Sequence, residues 1–136
     1  MKSAEKTAVA GETQQPWADV FGQRIYKFAL RVIRLADSLP ARRSASRILG
    51  AQLVRSATSV AANYEEARGA MSHPDFVAKM SLAYKECRES VLWLSLIRDA
   101  DIVGAARMEA IVAEALELRA ILGTSLKTAR QNRSSR

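Results

Sequence analysis

Few side chains in this sequence could act on a chemical bond, and they do not converge. His73 is the single histidine, and it stands beside Pro74 where a helix should begin. A histidine there reads as a surface or capping residue, because a general base needs partners that orient it. Cys87 is the single cysteine, so no intramolecular disulfide can form and a cysteine-built zinc site is excluded. Glu65-Glu66 and Glu86/Glu89 are paired carboxylates at helical spacing. Their neighbours Arg68, Lys85 and Arg88 suggest helix-surface ion pairs instead of acid–base work. A di-metal carboxylate bundle needs Glu-x-x-His on facing helices, and none occurs. Gly50, Gly69, Gly104 and Gly123 stand alone, so no phosphate loop is present. No catalytic residue, cofactor or metal is expected.

Cations are the more plentiful resource. The chain of 136 residues has 21 Lys and Arg against 14 Asp and Glu, for a net charge of +7. Residues 1–64 hold 10 basic and 4 acidic side chains, residues 65–126 hold 7 and 10, and the last ten add 4 basic residues. Arg24, Lys27, Arg31 and Arg34 recur at helical spacing as a ridge, and Arg42, Arg43, Arg47 and Arg55 follow closely. Lys127, Arg130, Arg133 and Arg136 close the chain. Guanidinium groups suit phosphate because they bind it with two parallel hydrogen bonds. No zinc finger, aromatic RNA-binding signature or helix-turn-helix spacing accompanies them, so any nucleic-acid contact would be electrostatic and weakly sequence-specific. A solvated basic face is the competing reading.

The elements that must carry these residues are helices. Phe21, Ile25, Phe28, Ala29, Val32, Ile33 and Ala36 mark a stripe in a first helix from about Ala18 to Leu39. Pro40 stops it. Leu49, Leu53, Ala57, Val60 or Ala61, and Tyr64 mark a second from about Arg43 to Ala70, whose small central residues permit close helix approach. Ser72 as N-cap, Pro74 in the first turn and Asp75 at the positive end open a third, running to about Arg98. Phe76, Met80, Ala83, Tyr84, Cys87, Val91, Leu94 and Ile97 form its stripe. A fourth, from about Ala105 to Lys127, carries Met108, Ile111, Val112, Ala115, Leu118, Leu122 and Leu126. Nothing reads as a strand. The fold class is all-α, an antiparallel up-down-up-down four-helix bundle over residues 16–128. Residues 1–15 read as a flexible arm and 129–136 as a basic flexible tail. Met71, Met80 and Met108 are taken for core. Leu92, Trp93 and Leu96 give the third helix a second apolar face, which points to a subunit interface. No signal-peptide core or run of about 20 apolar residues occurs, so a cytoplasmic, membrane-free location is expected.

Two stretches carry a resemblance. Arg55-Ser-Ala-Thr-Ser59-Val60-Ala-Ala-Asn63-Tyr64-Glu65-Glu66-Ala67 resembles the R-x-A-x-S-[IV]-x-x-N-x-x-E-[GA] core of the four-helix bundles named for proteins encoded in 23S rRNA intervening sequences. Phe76 then opens the third helix, and Lys85-Glu86-Cys-Arg-Glu89-Ser90-Val-Leu-Trp93-Leu94 is similar to that family's KE-x-x-E-[ST]-x-x-WL run. Ala67 stands where many members have Gly. The resemblance, over about residues 18–127, implies a non-enzymatic bundle that assembles into homopentamers. It also implies kinship with the accessory variability determinant of diversity-generating retroelements, which associates with nucleic acid and a reverse transcriptase. Ser59, Asn63, Glu66 and Trp93 then become structural or interface positions. Asn63 and Glu66 share a helix face, and hydrogen bonds across helices or subunits are expected of them. The expected function is a homo-oligomeric, non-enzymatic accessory protein that meets RNA or DNA through Arg24, Lys27, Arg31, Arg34, Arg42, Arg43 and Arg47. The alternative is an assembly module whose partner is a protein, with no nucleic-acid role.

Overall fold

Apolar residues three and four apart leave each helix with one stripe to bury, and four such stripes meet in one core. The structure is a computed structural model that describes residues 16–134, with side chains through 132. Four helices occupy them: α1 Pro16–Asp37, α2 Ser44–Arg68, α3 His73–Asp99 and α4 Ala105–Ser134. The chain is all-α, a four-helix bundle, and no strand occurs among the described residues. α1 packs on α2, α2 on α3 and α3 on α4, while α4 closes the ring loosely against α1. The expected arm over residues 1–15 lies outside the described residues. No described helix is long and apolar enough to cross a membrane.

Ile25, Phe28, Val32, Leu53, Met80, Leu94, Ile97, Met108, Leu118 and Leu122 are all fully buried. Each such side chain removed from water stabilises the fold by roughly 1.5–3 kcal/mol. α2 and α3 make the tightest seam, because α2 presents Ser56, Ala57 and Val60 there. Ser72 caps α3 by accepting a hydrogen bond from the Asp75 N–H at 3.2 Å, with Pro74 in the first turn. Where α1 ends against α2, Gly50 permits close approach: a Cβ on it would meet the Leu39 side chain at 3.2 Å.

Three expectations change. α4 does not stop near Lys127 but runs to Ser134, because Ala129 continues the stripe of Leu122 and Leu126 and is buried. The span expected to be a tail from 129 is therefore helical to Ser134. Ile33 is 37% exposed: it lies one step round the helix from Val32, and Leu35 takes the core position. Met71 is 94% exposed in the turn before α3, while Met80 and Met108 are core residues.

Candidate nucleic-acid interface

The basic residues divide between the flank of α1 and one end of the bundle. On α1, Arg24 is already committed. Its guanidinium donates to Glu114 of α4 at 2.7 Å and pairs with Glu117 at 3.0 Å, fastening the loosest seam. The hydrogen bond to Glu114 holds its pKa above the ordinary arginine value. Arg24 is thus a clamp between helices, which spacing along α1 could not reveal because its partners lie ninety or more positions away. Lys27, Arg31 and Arg34 are exposed.

At the end of the bundle the α1–α2 and α3–α4 connections meet. Arg43 donates to the Ala100 carbonyl at 3.3 Å, and Arg107 donates to the Ser38 hydroxyl at 2.6 Å. Arg34 in the last turn of α1, Arg42 and Arg43 in the connection and Arg47 in the first turn of α2 gather around this crossing. Arg42 and Arg47 are exposed. Arg107 joins the cluster although nothing in its sequence neighbourhood marks it. Its place depends on the pairing of the two connections, which no local pattern encodes. Beside the crossing lies a recess of about 460 Å³ bounded by Ala36, Leu39, Arg43, Ser44, Ser46 and Arg47.

The proposed structural positions lie elsewhere. The Asn63 side-chain amide donates to the Ser59 carbonyl at 2.9 Å and hydroxyl at 3.1 Å, one turn back in its own helix. Among the described residues Asn63 thus makes no cross-helix bond, because the one-turn spacing puts Ser59 nearest. Glu66 does cross, to Lys79 of α3 at 3.2 Å. Trp93 is half-buried against the core, with its Nε1 buried and unpartnered among the described residues. Arg55 forks onto Glu86 at 3.0 Å and Glu89 at 2.6 Å, so both paired carboxylates of α3 are ion-pair partners.

His73 is part of the scaffold, its Nε2 being 2.9 Å from the Ala129 carbonyl of α4. Cys87 is fully buried, and burial pushes its thiol up to about 12, far from the range of a nucleophile. No group of three or more potential metal ligands occurs among the described residues.

Comparison with known proteins agrees with this architecture. A crystal structure of a protein of unknown function from the S23 ribosomal protein family of Bacteroides thetaiotaomicron VPI-5482 superimposes with a TM-score of 0.74 at 29% identity. The match covers 81% of this chain and 97% of that one. None of the curated proteins compared is significantly similar. The family model described as 23S rRNA-intervening sequence protein matches residues 20–124. A match over that span, on a chain that folds as four packed helices, places this protein in the 23S rRNA-intervening sequence protein family.

Proposed function

We propose that this protein is a non-enzymatic accessory protein that binds RNA or DNA through its basic surface and works as an assembly of identical copies. The observation that carries the nucleic-acid reading is the convergence of Arg34, Arg42, Arg43 and Arg47 on the crossing of the two connections, joined by Arg107. Lys27 and Arg31 extend this field along α1, whereas Arg24 is discounted because Glu114 and Glu117 neutralise it. The family takes its name from 23S rRNA intervening sequences, which supports a connection with RNA. The family resemblance gives a pentamer as the candidate assembly, and the kinship it implies with the accessory variability determinant adds a reverse transcriptase as a candidate partner.

Binding that rests on phosphate contacts must weaken as salt displaces it. The test is affinity for a short RNA and a matched DNA between 50 and 200 mM salt. A steep logarithmic fall that becomes shallower in Arg42→Gln and Arg47→Gln supports the reading. No binding at the lower salt overturns it and leaves the protein-partnered assembly module.

The assembly reading draws on α3. Leu82, Leu92 and Leu96 are 43%, 49% and 42% exposed on the side of α3 opposite its buried stripe. Three half-exposed leucines on one helix face are an unmet apolar surface of the kind that pairs with another helix.

A further inference from the structure

We infer that the start of α2 is a seat for one phosphate group, formed by the free N–H groups of Ser44 and Ala45, the Ser44 and Ser46 hydroxyls and the Arg42 and Arg47 guanidiniums. The inference rests on the nucleic-acid reading for its source of phosphate, a backbone phosphodiester, and names the place where one such group would sit.

The start of a helix offers N–H groups that no residue of its own helix can accept from, and the helix dipole makes that end positive. α2 has 25 residues, no acidic residue in its first turn and an N-cap, Arg43, whose side chain makes no capping bond. The Ser46 N–H is used, donating to the Arg43 carbonyl at 3.1 Å. The N–H groups of Ser44 and Ala45 have no protein acceptor among the described residues. Positive potential and open donors together favour an oxyanion.

A second, independent observation comes from Ser46. It is 4% exposed, it borders the recess at this helix end, and its hydroxyl oxygen is buried without a hydrogen-bond partner. A hydroxyl left so is costly unless something fills the site. Ala36 and Leu39 form the apolar back of the recess, so an anion there would face a wall of low polarity on one side and guanidiniums on the other. That arrangement strengthens each charged hydrogen bond. Arg43 is held back by its bond to Ala100, which leaves Arg42 and Arg47 as the cations free to close on the ligand.

The experiment is a titration of the 15N-labelled full chain with inorganic phosphate and, separately, with a short RNA, matched in ionic strength with chloride. Saturable shifts of the Ser44, Ala45 and Ser46 amides with phosphate, absent with chloride, are expected. Arg43→Asn places a capping side chain on the same N–H groups while keeping the helix. It should weaken phosphate binding about tenfold or more, the equivalent of one lost charge-assisted hydrogen bond. Arg47→Gln, which leaves the Arg43–Ala100 bond alone, should act in the same direction. Phosphate that leaves those amides unmoved, or that binds Arg43→Asn and Arg47→Gln as well as the parent, overturns the seat. RNA binding that bypasses these amides overturns the seat but leaves the nucleic-acid reading standing. Phosphate at these amides without RNA binding supports the seat and removes that reading.

Discussion

The hydroxyls of Ser56 on α2 and Ser90 on α3 meet at 2.8 Å with both side chains fully buried. Each oxygen also lies 3.1 Å from a carbonyl of its own helix, Leu53 for Ser56 and Glu86 for Ser90. Two protons therefore serve three contacts: one bridges the helices and the other returns to a carbonyl. The pair fixes the register of the tightest seam while leaving no polar atom unmet. Removing one hydroxyl leaves the other with its own-helix carbonyl, so Ser56→Ala and Ser90→Ala should each cost about 1 kcal/mol. Ser56→Ala with Ser90→Ala should cost less than the sum, because the second change removes a group already deprived of its partner. Urea unfolding of the four proteins checks this, and strict additivity would show that the bridge carries no coupling.

How far this bundle is legible in the sequence depends on the distance between cause and effect. The stripe through Ile25, Phe28 and Val32, and the cap formed by Ser72 and Asp75, are local and were readable. The last turns of α4 were not, because Ala129 is a weak hydrophobic signal among Thr, Arg and Gln, and its burial depends on α3 lying alongside. Arg24 shows the same limit for the candidate site. Its spacing with Lys27, Arg31 and Arg34 suggested one ridge, while Glu114 and Glu117 reach it only after the chain has folded back. The recess at Ser46 requires Ala36 and Leu39 from the end of α1, and no spacing within α2 could have announced it.

Arg24 and Arg47 should consequently behave as opposites. Arg24→Ala should lower stability by about 1 kcal/mol or less, since its ion pairs are partly solvated. It should leave the salt dependence of nucleic-acid binding unchanged. Arg47→Ala should be nearly neutral for stability and should reduce the logarithmic salt slope by about 1, the signature of one phosphate contact. Thermal unfolding beside salt-titrated binding separates the two. A reduced slope in Arg24→Ala would return that residue to the binding surface.

Burial holds the Cys87 thiol proton to a higher pH in the native chain than in the unfolded one, about 12 against an ordinary 9.0. Below the unfolded value this favours neither a gain nor a loss of protons on folding. Above it the unfolded chain ionises first, so the stability contribution is lost as pH rises from 9.0 towards 12. Burial raises the Tyr64 phenol as well, and its hydroxyl donates to the Ala18 carbonyl at 2.8 Å, so Tyr64 adds a loss of the same sign. Stability measured across this window should fall less steeply in Cys87→Ala than in the parent. A thiol reagent at pH 8 should label Cys87 only as the chain unfolds. Rapid labelling of the native protein would contradict the burial.

Self-assembly can be tested through the two faces that would meet. The leucine ridge of α3 carries Lys85 at its middle, and Lys85 has no ion-pair partner among the described residues. Between α1 and α2 runs an open groove of about 730 Å³ whose boundary includes Gly22, Tyr26, Lys27, Ala61, Ala62 and Glu65. Small residues let a helix approach closely, Tyr26 is 64% exposed, and Glu65 offers the charge Lys85 lacks. Ridge and groove lie on different sides of one chain, so their contact is head-to-tail, and repetition either closes a ring or grows a filament. We predict that the parent protein is a closed oligomer by light scattering. Leu92→Glu with Leu96→Glu spoils the ridge, Ala62→Trp blocks the groove, and each should give a folded monomer. Mixing the two should produce a dimer and nothing larger, because only one good ridge and one good groove remain between them. A self-symmetric contact through the ridge alone would leave Ala62→Trp at the parent mass, and both variants keeping that mass would show that neither face is used. A monomeric parent would remove the assembly reading altogether while leaving the basic end of the bundle to be judged by phosphate.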